Sequence, residues 1–165
     1  MNPAFKQWLN SVCVWIDSTA LSQAIQSAAW VVPAVQTVHI LAIAALMGSM
    51  VMINLRLLGV TGRDQSLAAV SRRFSPVIWW ALPVLLVSGI ILITGEPARA
   101  LKNVIFQWKM LMVISAVLIT LYFTAPLNKN PAYWDSRGGV GRVVAVVSFA
   151  LWVGIIFAGR WIAYF

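Results

Sequence analysis

The ionisable side chains within or beside long apolar stretches are the residues of this sequence that could do chemistry. His39, Lys109 and Arg160 lie within such stretches, and Glu96 ends one of them. Charged groups at membrane depth are costly and are usually kept for a function, so each is a candidate site residue. An imidazole is the usual axial ligand of b-type haem, and Lys or Arg near the membrane surface suits the haem propionates. The pattern therefore favours a haem site with His39 as the metal ligand.

The identity of a second iron ligand stays open at the level of sequence. The chain has one histidine, which excludes two histidine ligands within one protomer. The sixth ligand is then Lys109, a methionine such as Met50, the imidazole of a second copy, or nothing. Alternatively, His39 is a structural residue that bonds Gln36 or a backbone carbonyl, while Lys109 and Arg160 extend to lipid headgroups.

The methionines allow a copper site as another interpretation, because thioether sulfur suits Cu(I). Met47 and Met50 are three residues apart and so share a helix face, although methionine also fills gaps in ordinary cores. The one cysteine, Cys13, excludes an intrachain disulfide and the CxxCH attachment of c-type haem. A non-enzymatic scaffold or transport component with a role in copper handling is therefore the alternative function.

The elements that position these residues follow from composition. The 165 residues are 61% hydrophobic and 10% charged, whereas soluble domains are about 45–50% apolar and about 25% charged. Because a membrane helix needs about 20 apolar residues, the sequence predicts an all-α, four-helix integral membrane bundle. Its expected spans cover residues 31–58, 77–94, 104–125 and 140–162. A separate short helix is expected over 66–74, with Pro76 and Pro126 outside the spans and Pro83 kinking the second.

The direction of each span predicts which candidates lie near one another. Odd-numbered spans run the same way, so His39 and Lys109 fall at similar depths near one surface. Even-numbered spans return to that surface, which brings Arg160 and Glu96 to the same side. Four helices therefore contribute to one candidate constellation.

The first 28 residues are predicted to form amphipathic helices ahead of the membrane domain, which covers residues 29–165. One face of the first helix carries Phe5, Trp8, Leu9, Val12, Trp15 and Ile16. Asp17, Ser18 and Thr19 can cap a second helix that carries Leu21, Ile25 and Ala28. Such helices lie in the membrane interface or pack on the bundle, and the sequence favours neither.

Basic residues give an orientation for the spans. Twelve Lys and Arg against four Asp and Glu give a net charge of +8. One side holds Arg56, Arg63, Arg72, Arg73, Lys129, Arg137 and Arg142, and the other holds Lys6, Arg99, Lys102, Lys109 and Arg160. The first set is predicted to be cytoplasmic by the positive-inside rule. A multi-pass protein of the bacterial inner membrane with both termini in the periplasm follows, and nucleic acid is not expected as a partner.

Two segments carry a family resemblance. Val38-His39-Ile40-Leu41, followed by Gly48-Ser49 and the stretch 54–59, resembles the first-span signature of an uncharacterised bacterial four-helix membrane family, which usually has Asp where this chain has Asn54. The stretch 106–110 resembles the entry to its third span. The resemblance covers roughly residues 28–125.

More distantly, the chain is similar to CopD-like copper-resistance proteins and to membrane-bound, haem-dependent protoporphyrinogen oxidases. By that resemblance His39 is an axial haem ligand and Lys109 is a haem or substrate partner. The chain lacks the additional histidines of those families, so protoporphyrinogen oxidation is not expected.

These observations combine into one functional expectation. The chain is predicted to bind haem b through His39, Lys109 and Arg160, and to act in electron transfer or as the membrane subunit of a redox assembly. Small residues at 150, 154 and 158 in the last span provide a smooth face for a helix of the same chain or of a partner. A homo-oligomer or a larger membrane complex is therefore expected, and self-association without a cofactor is a third interpretation.

Overall fold

Seven helices and no strand make up the part of the chain that the structure describes. A computed structural model describes residues 3–60, 64–129, 133 and 138–161. In chain order the helices are α1 Pro3–Asp17, α2 Ala20–Ser27, α3 Val31–Leu57, α4 Leu67–Gly95, α5 Pro97–Leu101, α6 Val104–Lys129 and α7 Gly138–Trp161. Arg63, Arg137 and residue 162, all used in the sequence predictions, lie outside the described residues.

Four of these helices are long and apolar enough to cross a bilayer. The candidate spans are Val31–Leu57, Leu67–Gly95, Val104–Phe123 and Gly139–Trp161. A helix satisfies its backbone hydrogen bonds within the segment, as a crossing through hydrocarbon demands. The predicted all-α, multi-pass membrane bundle is therefore confirmed.

The bundle packs chiefly through two helix pairs. α3 packs against α4, and α6 packs against α7; α3 also contacts α7, and α4 contacts α6 less extensively. All four spans contribute to the buried core. Its members are Leu46, Met50, Ile53, Leu67, Val70, Ile78, Ala81, Ala116, Phe123, Trp152 and Ile155.

The second span begins ten residues earlier than predicted. The expected short helix and the expected span form one continuous helix. Ser66 caps its start by accepting a hydrogen bond from the Ala69 amide at 3.2 Å. Leu67 and Val70 join the core. Their packing against the other spans favours a continuous helix despite Pro76, which removes one backbone hydrogen bond.

Two further helix ends differ from the sequence prediction. α6 continues through Pro126 to Lys129, because proline is tolerated in membrane helices when other groups satisfy the freed backbone. The sequence prediction missed α5. It begins directly after α4, with Pro97 in its first turn, where the missing amide hydrogen costs nothing.

The two N-terminal helices pack on the end of the bundle with one side and leave the other side exposed. In α1, Leu9 and Cys13 are buried, whereas Trp8 and Trp15 are 60% and 69% exposed. α1 contacts α5, and α2 contacts α4. Thr19 caps α2, as predicted, but Ala28 lies beyond the last residue of that helix. The apolar residues of α1 are thus divided between the bundle and its surroundings.

Candidate functional site

His39 forms a hydrogen bond with a serine of the neighbouring helix. His39 lies on α3 and is half-buried, and its Nδ1 is 2.7 Å from the Ser88 Oγ on α4. The Ser88 side chain is buried, and its Oγ is also 2.5 Å from the Val84 carbonyl oxygen of its own helix. Two helices therefore fix the position of the imidazole.

This network is compatible with one histidine tautomer in particular. When the Ser88 hydroxyl donates to the Val84 carbonyl oxygen, which can only accept, the Ser88 Oγ is available to accept from a protonated Nδ1 of His39. In that tautomer the other ring nitrogen carries no proton. Nε2 is left with a free lone pair, as in histidines whose other ring nitrogen donates to a neighbour while Nε2 binds a metal. The donor set therefore fits an axial haem ligand.

Lys109 lies against the last span. It projects from α6 onto Gly159 of α7, where the Cβ of any other residue would be 3.4 Å from the Lys109 Nζ. Gly89 of α4 stands beside the other candidate, because a Cβ there would be 3.7 Å from the His39 Cε1. Both side chains thus face a glycine, which leaves space that larger residues would fill.

The remaining predicted residues divide between this region and the surface. Arg160 follows Gly159 directly and is exposed, so it is next in the sequence to the glycine that Lys109 contacts. Glu96 lies between α4 and α5, and its Oε2 pairs with the Arg99 Nη1 of α5 at 2.9 Å. The structure therefore places Lys109 against the end of α7 and Glu96 in a separate surface pair.

Met47 and Met50, the pair considered for copper, pack in the core of the bundle. Met50 is a core residue and Met47 packs against that core. Met50 lies eleven residues from His39 on the same helix, which corresponds to about 16 Å along the axis, so one iron cannot bind both. Among the described residues, no group of three or more His, Cys, Asp or Glu side chains could hold a metal ion.

The stripe of small residues in α7 contacts the chain's own helices. A Cβ at Gly154 would be 3.4 Å from the Met112 Sδ of α6, and Ala158 is buried. Two of its three positions are therefore used within the bundle. Ala150 is exposed.

Two buried polar atoms have no hydrogen-bond partner in the described part of the chain. They are the Nδ2 of Asn54 and the Nε1 of Trp152. Trp152 belongs to the apolar core with Leu46 and Ala116. Neither atom is hydrogen-bonded to His39.

Ser88 is the site residue that the sequence analysis missed. A signal was present: His39 lies eight residues after the start of its span, and Ser88 lies seven residues before the end of the next. Antiparallel neighbours place such positions at equal depth, and Ser88-Gly89 interrupts an otherwise apolar stretch. Depth matching of polar residues between adjacent spans would have found the pair.

A comparison with known families now identifies the chain at the level of family. One family model, described as Family of unknown function (DUF6644), matches residues 10–165. The chain belongs to this family. The DUF6644 match confirms the expected membership of an uncharacterised family and extends beyond the residues 28–125 that carried the resemblance. No curated protein and no solved structure is similar enough to the chain to count as a match.

Proposed function

We propose that this DUF6644 protein binds haem b in the membrane and acts in electron transfer or as the membrane subunit of a redox assembly. The observation that carries the proposal is the His39–Ser88 hydrogen bond. Donation from Nδ1 to Ser88 is the arrangement that leaves Nε2 able to bind iron, and the ring is held by α4 rather than by its own helix.

Lys109 and Arg160 are assigned to the haem propionates. The Lys109 Nζ lies on Gly159, and the next residue along α7 is Arg160, so both cations belong to the end of the bundle. Carboxylates near a membrane surface are held by such pairs through charge-assisted hydrogen bonds. Lys109 is therefore a propionate partner in this proposal rather than the sixth iron ligand.

Haem, when bound, would supply one-electron transfer, and His39, Lys109 and Arg160 would hold it in place. The excess of basic residues in two connections favours the bacterial inner membrane with periplasmic termini. The site then lies in the periplasmic half of the bilayer, and the electron partner is another copy or another membrane subunit.

An absorption spectrum of the purified protein tests the proposal. The full chain, produced with haem available and extracted into detergent, should show a Soret band and a pyridine haemochrome of the b type. His39→Ala should remove the band, whereas Gln36→Ala, an exposed polar change one turn away on α3, should retain it. A haem-free wild-type protein, or a Soret band unchanged by His39→Ala, would contradict haem binding through His39.

The role of Lys109 is tested with Lys109→Leu. Loss of a propionate partner should weaken haem binding about tenfold, the size of one charge-assisted hydrogen bond, with an unchanged spin state. Lys6→Leu, which changes an exposed lysine of α1, should alter neither property. A conversion from low spin to high spin in Lys109→Leu would show instead that the amine is the sixth ligand.

A further inference from the structure

A cleft of about 580 Å³ lies at the end of the bundle where the N-terminal helices pack. Its walls come from α1, α2, the start of α3, the end of α4, and α5. It is separate from the His39 region, because the residues that line it include none of His39, Ser88 and Lys109. No role in the proposed haem chemistry accounts for it.

Charged side chains of both signs line this cleft. Asp17 and Glu96 provide two of the four acidic residues of the whole chain, and Arg99 and Lys102 provide two cations. In a protein with a net charge of +8, this concentration of carboxylates beside cations matches a ligand that carries both charges. A ligand with only negative charge would be repelled by the carboxylates.

Hydrogen bonds hold these charged groups in place and leave each of them able to form further hydrogen bonds. The Asp17 Oδ1 accepts from the Gln26 Nε2 at 2.7 Å, and the Lys102 Nζ donates to the Asn10 Oδ1 at 2.7 Å. The Glu96–Arg99 pair completes the set. A carboxylate can accept several hydrogen bonds and an ammonium has three to donate, so each group keeps capacity for a ligand.

Exposed tryptophans indicate the depth of the cleft in the membrane. Trp8, Trp15 and Trp30 are 60%, 69% and 73% exposed, and all three belong to or border the helices that form its walls. Tryptophan is enriched at the level of the lipid headgroups. The cleft therefore opens where a headgroup, rather than an acyl chain, would meet it.

We propose that this cleft binds a phospholipid headgroup that combines a primary ammonium with a phosphodiester, as in phosphatidylethanolamine. The ammonium contacts Asp17 and Glu96, and the phosphate contacts Arg99 and Lys102. A choline headgroup has no N–H to donate to the carboxylates, and a glycerol headgroup has no cation for them. The charge pattern thus selects the aminoethyl phosphodiester.

The single cysteine provides a native reporter for the test. Cys13 lines the cleft and is 3% exposed, and it is the only thiol of the chain. The full protein is placed in nanodiscs of phosphatidylglycerol mixed with either phosphatidylethanolamine or phosphatidylcholine, and alkylation by iodoacetamide is timed. Alkylation should be about five- to tenfold slower with phosphatidylethanolamine, because charge-assisted hydrogen bonds of this kind give that scale of occupancy difference.

Isosteric variants test whether the carboxylates are needed for the slower alkylation of Cys13. Asp17→Asn with Glu96→Gln keeps oxygens that accept from Gln26 and Arg99 but removes both negative charges, so the difference between the two lipids should disappear. Asp64→Asn changes an exposed carboxylate in the connection at the opposite end and should retain the full difference. Retention of phosphatidylethanolamine in native mass spectra should follow the same order.

A further sample distinguishes binding of the lipid from binding of a soluble compound with the same headgroup. Glycerophosphoethanolamine is added to the phosphatidylcholine nanodiscs at the concentration of the lipid headgroup, and it should protect Cys13 far less than the lipid. Equal alkylation in both lipids would overturn the site. Equal protection by the soluble compound would overturn the lipid assignment, and unchanged lipid preference in the double variant would overturn the role of the carboxylates.

Discussion

Two polar regions lie toward the same end of this bundle, and they are built in different ways. Within the helices, His39 is bonded to a buried serine of the next span. At the end of the helices, Glu96 and Arg99 of the cleft pair with each other while remaining accessible, with side chains that are 49% and 58% exposed. The first region holds the imidazole of His39 in place, and the second brings charged side chains together.

The difference follows from the availability of water. A polar group within the bilayer must find its partner in another helix, and losing that partner leaves it unsatisfied at a cost of about 1–3 kcal/mol. An exposed ion pair exchanges its partner for water and contributes about 0–1 kcal/mol. The geometry of the His39 region should therefore be sensitive to single substitutions, whereas the cleft should tolerate them in stability and respond in ligand preference.

Ser88→Ala is expected to give the largest effect. It removes the hydrogen-bond partner of the His39 Nδ1, so the affinity for haem should fall about 10–100-fold, as for other partners that orient a metal-binding histidine. Haem titration of the apoprotein followed at the Soret band measures the change.

The matched control is Ser49→Ala. Ser49 is also 4% exposed and bonds the carbonyl four residues earlier in its own helix, at 2.9 Å, as Ser88 does. It has no recorded bond to an imidazole, so haem affinity should be unchanged. An equal loss in both variants would assign the effect to general packing and would contradict the role of Ser88.

Gly159→Leu is expected to be the next in size. A side chain there would displace the Lys109 ammonium from α7, so haem affinity should fall about five- to tenfold through the loss of one charged partner. The control is Gly48→Leu, at an exposed helical position with nothing within 4 Å of its Cβ. If Gly159→Leu binds haem as the wild type does, then Lys109 is not a propionate partner.

The sequence predicts most of the fold but only half of the site. Four long apolar stretches give the number of candidate spans, which the structure confirms, whereas the common depth of His39 and Lys109 stays a prediction. The His39–Ser88 bond depends on the rotation and register of α3 against α4, which composition does not encode. Local propensity predicts a helix break at Pro76, but Leu67 and Val70 are buried in the core and α4 continues through the proline.

The cleft was unpredictable for a related reason. Glu96 was expected to join His39, because both lie near the same surface. α5, a five-residue helix that sequence patterns do not reveal, instead places Arg99 within 2.9 Å of Glu96. The short connections therefore decide how the charges divide between the two regions.

Ser22→Ala tests how the N-terminal helices are held. The Ser22 Oγ is fully buried and donates to the Thr94 carbonyl at 2.7 Å, one of the last carbonyls of α4, which have no partner within the helix. Removing it should destabilise the docking of α2 by about 1 kcal/mol and speed Cys13 alkylation about fivefold. Ser27→Ala, whose exposed Oγ bonds only the Ala24 carbonyl of its own helix, should not. Equal alkylation rates in the two variants would contradict a role for Ser22 in docking α2.

Arg99→Gln is expected to change stability least. Its pair with Glu96 is exposed on both sides, so removing it should alter the free energy of unfolding by less than about 1 kcal/mol. Thermal unfolding at low and high salt measures this, and the small difference from wild type should vanish at high salt because mobile ions screen exposed charges. A larger loss that persists in salt would mean that the cleft shares the rigidity of the His39 region. In that case the contrast between an ordered ring inside the bilayer and adaptable charges at its surface would fail.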